Sequence, residues 1–175
     1  MSCSWTDKPI ASISADASMD HWDMFNDFTN SQAINLLGQG KNSYNLRLAC
    51  EEIFSNIVRH AGSESGPSDV KLSVDFFRKL SGKETDDDIG NHASEVMVQI
   101  SDNGPFFDPH FQTPRRVNHD LSISDRPIGG LGLFLVQQSV DLAEYAWVNN
   151  TNRYRLYISN AACLPESSKN QDPSR

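Results

Sequence analysis

The stretch that most constrains this chain is residues 46–61, LRLACEEIFSNIVRHA. At helical spacing, Leu46, Ala49, Cys50, Ile53, Ile57 and Ala61 form an apolar stripe, widened by Phe54 and Val58. Glu52, Asn56 and His60 fall four residues apart and stack on a neighbouring face. Burying the first row carries the second to the border of the core. Polar groups there need partners, because each one left unpaired costs about 1–3 kcal/mol. Solvent can serve along the edge of an ordinary amphipathic helix. Other protein groups, or a ligand with a metal, can serve as well.

The bulk of the chain bounds the fold around this helix. Its 175 residues fit one domain with a core of useful size. The expected division is a loose start over residues 1–7, a domain over 8–163 and a disordered polar tail over 164–175. A net charge of −8 argues against non-specific binding to nucleic acid or to an anionic membrane surface. Cys3, Cys50 and Cys163 have no paired or metal-binding spacing, which points to a reducing, cytoplasmic setting. The first residues lack the basic and apolar regions of a signal peptide, and no apolar run approaches the roughly 18 residues of a membrane span.

In chain order, residues 9–14 alternate as an edge strand, and residues 16–38 read as a helix that Asn30 and Ser31 kink or interrupt. Asn42 or Ser43 can cap the next helix. Residues 70–77 and 95–101 alternate as strands, joined by a long solvated connection with an acidic run at 84–88. The second strand ends in Asp102-Asn103-Gly104-Pro105, a sharp turn. Residues 110–128 are polar and irregular, a candidate lid. Gly129-Gly130-Leu131-Gly132 then opens a helix, and residues 143–148 and 153–159 form a hairpin. The class is α+β: a two-layer α/β sandwich with one mixed, mostly antiparallel sheet and helices on one face.

Singly these motifs are weak; together they describe one site. Asp102, at a strand end, can accept a hydrogen bond from the exocyclic amine of adenine, which guanine lacks at that position. Gly130, Leu131 and Gly132 can bring backbone N–H groups and a helix's positive end to phosphates. Asn56 can offer an amide oxygen to Mg²⁺. Glu52, one turn earlier, can take the proton of a hydroxyl attacking a γ-phosphate. Glu51 points about 100° away and is structural or solvated.

E-x-x-x-N, D-x-G-P-x-F-D-P and G-G-L-G-L-F-L-V, in this order, resemble the three boxes of the Bergerat-fold (GHKL) ATPases over about residues 8–160. Within that superfamily, EEIFSNIVRHA, DNGPFFDP and RPIGGLGLFLV are most similar to the anti-sigma-factor serine kinases of bacterial partner switching. The resemblance implies a Bergerat ATP-binding fold, with ATP and Mg²⁺ as cofactors. It implies Glu52 as general base, Asn56 as metal ligand and Asp102 as the adenine-reading carboxylate, with Gly104 admitting the backbone to the base. Gly130 and Gly132 would bind phosphates. Arg126 would lie near a γ-phosphate contact, with Arg115 and Arg116 as competitors. Arg59 and His60 would support the site. The implied activity is serine/threonine protein kinase action on an anti-sigma-factor antagonist of STAS type, with a sigma factor or other output protein as second partner and a homodimer as the assembly. The alternatives are an ATP-responsive sequestering module without kinase activity and a stand-alone histidine-kinase-type catalytic domain. No phosphoacceptor-His helix precedes the ATPase part in this sequence, which disfavours the latter. Phe106 departs from the pattern, standing where many such boxes carry a second glycine.

Overall fold

The computed structural model describes residues 4–63, 66–80, 93–111 and 131–159. In chain order these form β1 (Ser4–Trp5), β2 (Ala11–Asp16), α1 (Trp22–Leu37), α2 (Lys41–His60), β3 (Lys71–Leu80), β4 (Glu95–Asp102), α3 (Leu131–Ser139), β5 (Leu142–Val148) and β6 (Thr151–Ser159). The strands make one sheet in the order β1-β3-β4-β6-β5, with β2 sharing the β1 edge of β3. All the strand pairs described are antiparallel. The result is the expected two-layer α+β architecture.

Alternation builds the core. Leu72, Val74 and Phe76 of β3, Val96, Val98 and Ile100 of β4, and Tyr154, Leu156 and Ile158 of β6 are buried on one sheet face. Register sets them in rows: Val74 beside Ile100 beside Tyr154, and Phe76 beside Val98 beside Leu156. Leu46, Ala49, Cys50, Ile53, Phe54 and Ile57 of α2 belong to the same core. The aromatic rings of Phe25 and Phe54 lie 5.5 Å apart, and Phe28 meets Phe76 edge-on at 5.8 Å. Burial pushes the Cys50 thiol well above its ordinary pKa, so it behaves as an apolar group.

Four local readings change. The first helix starts at Trp22, not at residue 16, because pairing with β3 extends β2 to Asp16, opposite Lys71. A 3₁₀ turn, Met19–His21, intervenes, and the Ser18 hydroxyl accepts from the Asp20 N–H at its start. Helix α1 continues unbroken through Asn30 and Ser31, with Thr29 and Ala33 buried on either side. Gly40 is the N-cap of α2; Ser43 sits at the third helical position and accepts from the Gly40 N–H at 3.1 Å. Asn42 instead donates to the Ser159 carbonyl at 2.9 Å, tying the helix start to the sheet.

Part of the start expected to be loose carries β1, and Trp5 meets Tyr157 edge-on at 5.7 Å. Strand β3 runs on to Leu80, shortening the connection that follows. The acidic run, most of the candidate lid and the C-terminal tail lie outside the described residues.

Candidate nucleotide site

Helix α2 crosses the sheet where β4 and β6 reach their site-proximal ends. A cavity of about 100 Å³ opens there, walled by Asn56, Ile57 and His60 of α2, Asp102, the 105–107 segment, Leu133 of α3, and Asn152 and Tyr154 of β6. Asn56 and Asp102, 46 positions apart in the numbering, thus share one wall. Glu52 lies one turn before Asn56 on α2.

Asp102 is the last residue of β4 and is 2% exposed. Its Oδ1 accepts from the Gly104 N–H and from the Asn152 side-chain amide, each at 2.9 Å. Its Oδ2 is buried and has no hydrogen-bond partner among the described residues. Burial pushes this carboxyl above the ordinary carboxylate value; the hydrogen bonds to Oδ1 from Asn152 and Gly104 pull the other way, with a lesser pull from the nearby Tyr154 side chain. A buried acceptor left open is costly unless something fills it.

The expected hairpin of 143–148 and 153–159 leaves Asn152 between its strands, but β6 begins at Thr151 and includes it. Register puts Asn152 directly opposite Asp102. It is 1% exposed, and its amide is bonded at every position it offers. The amide nitrogen donates to Asp102 Oδ1 and to the Pro105 carbonyl at 2.8 Å. The amide oxygen accepts from the Phe107 N–H at 3.1 Å and from the Tyr145 hydroxyl at 2.9 Å. One side chain therefore fixes both the Asp102 carboxylate and the turn beyond it.

Two glycines permit close approach. A Cβ on Gly104 would sit 2.7 Å from Ala61 Cβ and 2.8 Å from Asp102 Oδ1. A Cβ on Gly132 would sit 2.3 Å from Glu52 Oε2. The first turn of α3 thus lies against the Glu52 carboxylate. Leu131, which opens that turn, is 60% exposed.

Asn56 has a buried amide nitrogen at the cavity wall with no partner among the described residues. Turning the amide about its last torsion presents Oδ1 there instead. The His60 ring stacks on Phe107, with centroids 6.1 Å apart and planes at 16°. Arg59 bonds Ser55 on its own helix, outside the cavity. Glu51 is held in an ion pair with Arg47 at 2.7 Å, a structural role. Arg115, Arg116, Arg126, Gly129 and Gly130 lie outside the described residues.

The cavity thus gathers an open carboxylate oxygen from β4 and an orphaned amide from α2, with Leu133 of α3 on its wall. A family model described as the histidine kinase-like ATPase domain matches residues 21–158. The chain belongs to that family. No curated protein matches it. A histidine kinase-like ATPase domain is an ATP-binding domain of the GHKL superfamily, and the sandwich described above is its Bergerat fold. The open Oδ2 of Asp102 and the orphaned Asn56 amide suit such a ligand. No helix among the described residues is long and apolar enough to cross a membrane.

Proposed function

We propose that this ATP-binding domain is a serine/threonine protein kinase of a bacterial partner-switching system. Its substrate is an anti-sigma-factor antagonist of STAS type, and its second ligand is a sigma factor or another output protein, in the cytoplasm. The observation that carries the reading is the approach of Glu52 to Gly132. A carboxylate lying against the start of a helix, one turn from an orphaned amide, suits a base working beside bound phosphates.

Asp102 Oδ2 would accept from the adenine amine. N–H groups at the start of α3 would hold phosphate oxygens. Asn56 would hold Mg²⁺ through its amide oxygen, and the ion, when bound, neutralises charge on the phosphates. Glu52 would accept the proton of a serine or threonine hydroxyl as that oxygen bonds to the γ-phosphorus. The bond from that phosphorus to the bridging oxygen breaks, and ADP leaves with the electron pair.

One feature favours the alternative of an ATP-responsive sequestering module. Phe106 is 62% exposed and meets Tyr145 and Trp147 edge-on, an aromatic surface at the cavity mouth. Incubation with labelled Mg·ATP and candidate antagonists discriminates the two. The kinase labels an antagonist, and Glu52→Ala abolishes the label while retaining ATP. ATP binding without transfer to any antagonist would contradict the kinase and leave the sequestering module.

A further inference from the structure

Strand β6 serves the nucleotide cavity from one face of the sheet and a second cavity from the other. Asn152 and Tyr154 turn toward the helices, so alternation turns Arg153 and Arg155 away from them. Register places Ala146 opposite Arg153 and Glu144 opposite Arg155 on β5. These four residues and Val148 wall a cavity of about 280 Å³. Tyr145 reaches it through its main chain, because its ring packs on Tyr154 on the helix side of the sheet.

The two arginines are the uncompensated charges of this face. Lys71 is paired with Asp16, and Lys79 with Glu95. Arg153 makes no hydrogen bond and joins no ion pair among the described residues, and its Nε is buried without an acceptor. Its neighbours across the two flanking strands, Ser101 and Ala146, are both short. Arg155 is anchored at one point, where its Nε donates to Gln99 Oε1 at 3.0 Å. Glu144 stands opposite it, yet that carboxylate accepts from the Tyr157 hydroxyl at 2.8 Å and forms no ion pair with either arginine. In a chain of net charge −8, two unpaired guanidinium groups beside one cavity reverse the local field.

The walls select the ligand. Residues two apart on a strand sit about 6.6 Å from each other, so both arginine forks can close on one anion. A carboxylate has two oxygens, which a single fork occupies. A phosphomonoester has three terminal oxygens and about two negative charges, enough for both forks. Glu144 repels a polyphosphate, whose charge is larger, and keeps lone pairs for a hydroxyl of the ligand. The volume falls just below the roughly 300 Å³ at which drug-sized ligands begin to fit, so the body attached to the phosphate is small.

The geometry points to a second ligand site, on the sheet face away from the nucleotide cavity, that binds a small hydroxylated phosphomonoester between Arg153 and Arg155. The two sites lie back to back on β6 and share no side chain. The second therefore stands whether or not the domain transfers phosphate to a protein.

Isothermal titration in a phosphate-free buffer of low salt tests this, with glycerol 3-phosphate and inorganic phosphate as probes. The wild type should bind glycerol 3-phosphate saturably, more tightly than inorganic phosphate, and equally well with its nucleotide cavity filled by ATP. Arg153→Gln and Arg155→Gln should each weaken binding at least tenfold while leaving ATP affinity and the circular dichroism spectrum unchanged. Arg153→Lys should weaken it as well, because an ammonium lacks the fork. Ala146→Glu gives Arg153 the partner it lacks and should abolish binding. Glu144→Gln should narrow the preference for glycerol 3-phosphate over inorganic phosphate. A wild type without saturable binding in the millimolar range overturns the inference. So does displacement of the probe by ATP, which would put the phosphate in the nucleotide cavity, or binding indifferent to both arginine-to-glutamine changes. A phosphoserine peptide bound more tightly than glycerol 3-phosphate would overturn the small-ligand assignment.

Discussion

The amide of Asn152 donates to Asp102 Oδ1 at 2.9 Å, while Oδ2 has no partner among the described residues. The two residues are directly opposite on β6 and β4, so the register of the sheet itself orients that carboxylate. The same amide bonds Pro105 and Phe107, which binds the turn after β4 to the hairpin.

Replacing Asn152 with Leu therefore removes a clamp as well as a contact. It leaves Asp102 Oδ1, the Pro105 carbonyl and the Phe107 N–H short of a partner. The expected loss is about 1–3 kcal/mol of stability, read from denaturant unfolding. Nucleotide affinity should fall at least tenfold under conditions where the variant is fully folded.

The open oxygen also predicts a pH dependence. Burial raises the Asp102 carboxyl above the usual carboxylate value of 3.8. The ligand-free fold accordingly takes up a proton as pH falls. Asp102 adds to its stability below the unfolded pKa, and that contribution disappears as pH rises through the folded one. Nucleotide binding runs the other way, because a proton on Oδ2 turns the acceptor into a donor. ATP affinity should decline on acidification at a pH above the normal carboxylate range. Fluorescence titration of a labelled ATP analogue across pH checks this.

Gly132→Ala and Gly104→Ala test the close approaches. The first adds a methyl 2.3 Å from Glu52 Oε2, which must displace a side-chain terminus at modest cost in stability. Phosphotransfer should fall more than tenfold while ATP still binds. The second crowds Ala61 Cβ and Asp102 Oδ1 together. It should weaken ATP binding and lower the unfolding midpoint. Paired transfer and binding assays separate the two outcomes.

What the sequence revealed follows the range of its interactions. The α2 face carrying Glu52, Asn56 and His60 depends on helical spacing alone, so it was readable before any fold was known. Asp102 was visible because a strand pattern stops at a glycine-proline turn. Asn152 was hidden, since three of its four partners lie 45 to 50 residues away and its own neighbours spell a turn. The boundary between β2 and α1 was misplaced for a related reason. Ala15 and Asp16 extend the strand because Leu72 and Lys71 lie opposite them, a contact no local pattern contains. Gly40 was overlooked as a cap because its side is completed by Ser43, three residues on.

The proposed function requires Asp102 Oδ2 to read adenine. Isothermal titration of ATP and GTP into wild type and Asp102→Asn tests it most directly. Wild type should bind ATP saturably and GTP at least tenfold more weakly. Asp102→Asn should keep the fold and bind ATP at least a hundredfold more weakly, about 2.8 kcal/mol at 1.4 kcal/mol per tenfold. Equal ATP affinity in the two proteins would contradict the claim.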